Sequence, residues 1–282
     1  MTDDFGGNAR NGSRPDLGTT LDALDVIIAS ARRDRSPIGI FPSMYRSVTA
    51  EIRDAIHGGF FDDRIAMRRL AVMFAGRYLD AYEQWISGGR PRVAWQIAFE
   101  AATDGRRRMI AQHLLAGMNA HINLDLGIVA AAVAGEDSVD LYGDFLRVNQ
   151  ILFQKLNGLQ DSLGSVSNRM AWIDRLGGTL DERIMRLAIK DARDGAWDLT
   201  NQLIARPADA AELIAVRDSE TADLGRTILG GALPVRVLSR FVARSEPAEV
   251  HHVLDAFADR TVDLNAVEAI VQLEAGAKRR KN

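Results

Sequence analysis

The chain has 282 residues, 47% of them hydrophobic, with a formal net charge of -3 and no cysteine. That length suits one large helical domain with ample apolar residues for a core, and so mild a charge offers no electrostatic footprint for nucleic acid. The missing cysteine excludes disulfides, thiolate metal sites and a cysteine nucleophile, and fits a reducing, cytoplasmic setting.

Met1 to Gly18 is polar, lacks the apolar stretch of a secretory signal, and is expected to be a disordered tail. A main helical domain is expected over 19–206, further helices packed on it over 207–276, and a basic tail over 277–282. Leu21, Leu24, Ile27, Ile28 and Ala31 predict a helix from about Thr20 to Arg33. Ser36-Pro37 and Phe41-Pro42 punctuate the chain before a second helix, which carries Tyr45, Val48, Ile52 and Ile56 and ends at Gly58-Gly59. Asp62 or Asp63 can cap a long third helix that stops near Gly88-Gly89. Pro91 opens a short one through Trp95 and Phe99, and a central helix follows from Arg106 to Ala134, closed by Gly135. Leu141 to Leu156 reads as another helix, Asn157-Gly158 as a turn or break, and Leu159 to Leu176 as the next helix. Thr179-Leu180-Asp181-Glu182 has capping-box spacing and starts a helix to about Ala205. Pro207 begins one that ends near Gly230-Gly231, and shorter helices are expected over Val235 to Ala243, from Ser245-Glu246-Pro247, and from Thr261-Val262-Asp263. No stretch alternates apolar and polar residues. The expected fold is all-α, a single bundle of roughly ten helices.

No apolar run is read as reaching the ~20 residues needed to span a bilayer. Ile228 to Arg244 sets Arg236 and Arg240 among apolar residues, but a helix docked on the bundle is preferred to membrane contact.

The chain centres on Gly117-Met118-Asn119-Ala120-His121-Ile122-Asn123-Leu124-Asp125-Leu126. Apolar residues surround this helix, which marks it as a core element. At ~100° per residue, His121 and Asp125 share one face, while Asn119 and Asn123 share a roughly opposite one. His113 falls between the two faces, and Gly117 is expected to let another backbone come close. A buried polar group left unpaired costs ~1–3 kcal/mol, so these side chains need partners. Two readings stay open: a network that fixes helix register, or a pocket that meets a ligand.

Phosphate-loop, His-Glu-x-x-His, Gly-x-Ser-x-Gly and EF-hand signatures are all missing. His121 and Asp125 can hold one edge of a metal ion, so a divalent metal is a candidate cofactor, with Asp62, Asp63, Asp80, Asp144 or His113 as further ligands if the fold brings them near. Without metal, Asp125 or Asp144 can orient His121 as a general base, while Asn119 and Asn123 orient substrate and donate to an oxyanion. Tyr45, Tyr78 and Asn149 are candidate substrate contacts. So are Arg193 and Trp197, which lie one turn apart and can stack. His251 and His252 point about 100° apart and cannot easily share a metal.

The Asn-Ala-His-Ile-Asn-x-Asp-Leu core resembles the hallmark of a bacterial family called domain of unknown function 5995. The resemblance extends to Tyr45 to Thr49, Phe60 to Asp62, Phe74 to Tyr78, Trp95 with Phe99, Asp144-Phe145 with Asn149, and Arg193 with Trp197. It implies a helical protein and no particular activity. His121-x-x-x-Asp125 and His251-x-x-x-Asp255 also resemble part of the zinc site of helical phospholipases C, although only His57, His113 and His252 remain to complete one. The first functional expectation is a small-molecule enzyme, hydrolytic by default, with cyclisation or isomerisation also open. The alternative is a non-catalytic ligand-binding or scaffold protein.

Overall fold

The computed structural model describes residues 16–137, 141–166, 180–230, 262–268 and 271–272. Among these residues, 17–230 hold nine α-helices, two 3-10 turns and one π-helical turn, 264–268 and 271–272 are helical as well, and no strand occurs. The expected all-α bundle is the fold observed.

Helix starts are fixed by carboxylates. Asp16 accepts the Thr19 amide and Thr19 returns a bond to Asp16, which starts α1 (Leu17–Arg33). The helix therefore begins inside the expected tail, whose residues 1–15 lie outside the described ones. A 3-10 turn (Pro37–Gly39) leads into α2 (Ile40–His57). Asp63 caps α3 (Arg64–Ile86) by accepting the Ile65 and Ala66 amides. The first amides of α4 (Val93–Thr103) go to a distant carboxylate, Asp218, at 2.9 and 2.8 Å from Val93 and Ala94. These bonds satisfy orphan amides and sit at the positive end of the helix dipole.

The central helix comprises α5 (Ile110–Ala120), a π-helical turn (His121–Asp125) and α6 (Leu126–Asp137). It starts later than the sequence suggests. Gly105 turns the chain at φ +72°, and the Arg108 guanidinium folds back onto Asp104 and the Ala101 carbonyl. The arginine triplet so stays out of the first turn, where positive charge would oppose the dipole. Ile110–Gly135 is, contrary to the sequence reading, long and apolar enough to cross a membrane. In this bundle 83% of its most apolar window is buried inside the protein.

The next helix, α7 (Tyr142–Val166), runs straight through Asn157-Gly158, where a break was expected. Then come α8 (Leu180–Ala205), a 3-10 turn (Pro207–Asp209) and α9 (Ala210–Gly230). Residues 167–179, the helices expected over 235–243 and from Ser245, His251-His252 and the tail over 277–282 lie outside the described residues.

The central helix is wrapped by its neighbours. Helices α2, α4 and α9 pack on α5, α3, α8 and α9 on the π turn, and α3 and α8 on α6. Two glycines set the closest approaches. A Cβ on Gly117 would lie 2.6 Å from Phe41 Cγ, and one on Gly127 would lie 2.7 Å from the Ala196 carbonyl oxygen of α8. At that second crossing Thr200 Oγ1 donates to the carbonyls of Gly127 and Ala196.

Gly127→Ala gains helix propensity but drives a methyl into rigid backbone, so the variant should lose about 1–3 kcal/mol in urea unfolding. Gly76→Ala, in α3 with nothing within 4 Å of its new methyl, should instead gain about 0.5–1 kcal/mol.

Candidate functional site

The site grows from one carboxylate. Asp125 is 1% exposed and faces three donors. Trp95 Nε1 of α4 lies 2.8 Å from its Oδ2, Arg77 Nε of α3 lies 3.3 Å from its Oδ1, and His121 Nδ1 lies 3.2 Å from Oδ2. Indole and guanidinium can only donate, so Asp125 is their acceptor, and the same network assigns the proton between His121 and Asp125 to Nδ1. The π turn carries both residues; its widened turn closes with the Leu126 amide on the His121 carbonyl. Such turns recur at functional sites.

His121 is 2% exposed and boxed by rings. Phe74 stacks on it at 3.5 Å between centroids and 9° between planes, and Tyr45 meets it edge-on at 4.5 Å. Phe41 and Trp95 stand at 5.6 and 5.8 Å. Burial pushes the imidazole pKa below its ordinary value, outweighing the Asp125 hydrogen bond, with Arg77 adding to the depression. The ring is therefore neutral at pH 7, with a proton on Nδ1 and a bare lone pair on Nε2. That Nε2 is buried and has no partner among the described residues.

His121 forms part of the wall of a cavity of about 40 Å³. That is room for a few waters or a compact organic molecule. Helix α2 lines it with Phe41, Met44 and Tyr45, α3 with Met67, Leu70 and Phe74. From α7 it receives Val148, Asn149 and Leu152. Its walls are almost wholly apolar. The polar exceptions are His121, Tyr45, Thr49 and Asn149, and Asn149 Nδ2 already donates to the Phe145 carbonyl. Burial, first of all, raises the Tyr45 pKa well above the ordinary phenol value, so its hydroxyl keeps its proton. Of the lining residues, Phe74 and Val148 are half-buried.

The structure separates several residues that the sequence reading grouped with His121. Asn119 and Asn123 bond to each other at 2.9 Å, and Asn119 Nδ2 donates to the Thr221 carbonyl of α9 at 2.7 Å. They tie the central helix to α9 and do not line the cavity. Asp144 accepts the amides of Asp62 and Asp63 at 3.0 Å each and pairs with Arg147, which also holds Asp62 and Glu268. It staples α7 to the entrance of α3 and does not touch His121. The Trp197 ring packs on Tyr142 and Phe145, while the buried Arg193 reaches Asp194. Tyr78 is fully buried and lines a second, smaller cavity with His113. Among the described residues, no three His, Cys, Asp or Glu side chains converge as a metal site. Asp125 itself faces the Arg77 cation, so its oxygens are poorly placed to take a second one.

Trp95, Arg77 and Phe74 are the contributors the sequence reading missed. A buried tryptophan needs an acceptor for its N–H, and an arginine inside the apolar pattern of α3 needs a carboxylate; both demands were visible in the sequence, their shared answer was not.

The chain belongs to the family of unknown function DUF5995, whose model matches residues 17–231. No curated protein and no solved structure matches it.

Asp125→Ala strands the Trp95, Arg77 and His121 donors in the core and should lose about 3–5 kcal/mol in chemical denaturation. Acid should also weaken the fold through two histidines. His113 is held down from 6.5 to about 4, chiefly by burial and then by Arg108, and His121 is lowered as well. The unfolded chain then binds more protons than the folded one below about 6.5. Their contribution is complete above that pH and is lost as the pH falls toward 4. Urea midpoints across this window should drop for the wild type and drop less steeply for His113→Gln.

Proposed function

We propose that this family member holds a compact, largely apolar molecule in the His121 cavity, with a hydroxyl or carbonyl group set against His121 and Tyr45. We further propose that the two side chains act on it as base and acid. The observation that carries this reading is a buried, neutral imidazole that is oriented by Asp125, lines an apolar cavity and has no partner for its Nε2 among the described residues. A histidine so held accepts a proton or a hydrogen bond at Nε2 while its other nitrogen is fixed. Tyr45, kept protonated by its burial, supplies a donor on the same wall.

Proton transfer, as in isomerisation or cyclisation, suits these groups better than hydrolysis. Hydrolysis calls for an activated water and for donors at a developing oxyanion. The asparagines that would have donated are committed to each other and to α9. The scaffold alternative draws support from Asp125, whose bonds are all within the protein. It gives no account of Nε2.

The test uses butanone in D₂O. Wild-type protein should bind it, seen as shifts of the His121 ring resonances, and should accelerate exchange of its α-hydrogens. His121→Phe should lower that exchange rate about 10²-fold. Binding without acceleration would leave a ligand-binding protein only. Failure of butanone and of simple alcohols to shift those resonances would overturn the pocket reading and favour the structural network.

A further inference from the structure

A second cavity, of about 20 Å³, lies beside the first. It is lined by Pro37, Ile38, Trp95, Phe99 and Gly117 among others. Two of its lining residues carry buried polar atoms with no partner among the described residues: the Tyr78 hydroxyl and His113 Nδ1. Tyr78 is 0% exposed and His113 7%. They come from different helices, α3 and α5. Leaving two such atoms unanswered in a core is costly, and the residues that carry them line the same small space.

The two cavities share one lining side chain, Phe41. Its ring packs 5.1 Å from Tyr78 and 5.6 Å from His121, centroid to centroid. It sits in the gap that the missing side chain of Gly117 leaves. Phe41 belongs to the first turn of α2, directly after the 3-10 turn. The residues that line the two cavities carry three polar atoms with no partner among the described residues: Nε2 of His121 for the first, the Tyr78 hydroxyl and Nδ1 of His113 for the second.

We infer that the two cavities are the ends of one site parted by the Phe41 ring, and that its ligand is a short bifunctional molecule. An apolar stem passes Phe41. One hydrogen-bonding group meets His121 Nε2, and a second, hydroxyl-like group sits between Tyr78 and His113. The inference rests on the ligand reading of the His121 cavity given above. The chemistry of the second end suits a hydroxyl, because one such group can both accept and donate and so answers the Tyr78 O–H and the imidazole nitrogen in either tautomer of His113. His113 stays neutral throughout the physiological range, its pKa being depressed to about 4. A simple monofunctional ligand would leave that end unanswered.

The experiment compares 1-butanol, 1-pentanol and 1-hexanol with 1,4-butanediol, 1,5-pentanediol and 1,6-hexanediol, titrated into the full chain and followed by NMR. For at least one length the diol should bind about fivefold more tightly than the alkanol, despite its smaller apolar surface, because a second hydrogen bond is made. In Tyr78→Phe the diol should fall to the affinity of the alkanol in that same variant. If alkanols equal or exceed diols at every length in the wild type, the Tyr78 cavity is separate and the inference fails while the His121 pocket stands. A diol preference that survives in Tyr78→Phe would overturn it too. If neither series binds, the reading of the His121 cavity fails with it.

Discussion

A carboxylate enclosed in an apolar helix has to be paired, because an uncompensated buried charge costs several kcal/mol. Asp125 is that group here. Its three donors come from α3, α4 and its own helix. The Arg77 cation supplies the balancing charge while keeping 22% of its side chain in contact with solvent. Trp95 places its N–H there and its ring against Phe99 and Phe41. The register of three helices therefore depends on one side chain. Shifting any of them by a residue would take a donor from Asp125 and leave that donor without its acceptor.

The orientation of His121 follows from that arrangement. With Nδ1 held by Asp125, and Phe74 stacked on one face of the ring, the imidazole has little freedom, so the direction of Nε2 is fixed before any ligand arrives. Such preorganisation is what an acid–base site requires, since no reorganisation remains for the reacting state. The asparagine pair works on the opposite side. It spends its hydrogen bonds on α9 and leaves the cavity wall apolar. One helix thus carries two polar pairs at the same spacing with different tasks, one as a tie and one as part of a wall.

Much of this was legible in the sequence because it follows from helical periodicity. The all-α bundle, the polar central helix, the pairing of His121 with Asp125 and that of Asn119 with Asn123 all come from residues one turn apart, which local geometry brings together. What periodicity cannot supply is the partner across space. Asp144 lies in a stripe that points inward, yet its oxygens go to Asp62 and Asp63, more than eighty residues away. Asp218 reads as an ordinary acidic residue of α9 and closes the start of α4. Gly127 looks like any glycine in an apolar helix until α8 is laid across it. The π turn leaves no compositional mark, because the same residues satisfy an α-helical pattern equally well. The expected break at Asn157-Gly158 failed for the opposite reason: a turn signal is local, and the continuity of α7 overrides it.

The histidine itself carries the last step. The rings around it would accept an aromatic side chain of similar shape, and replacing buried polar groups by apolar ones is often neutral or stabilising. Asp125 would still have Trp95 and Arg77. Stability alone therefore gives no reason for an imidazole at this position, since it brings in a nitrogen that no described residue satisfies. Three such atoms belong to His121, Tyr78 and His113, which line the two cavities that share a single phenylalanine. Packing does not account for their gathering there, and the ligand we propose would answer all three.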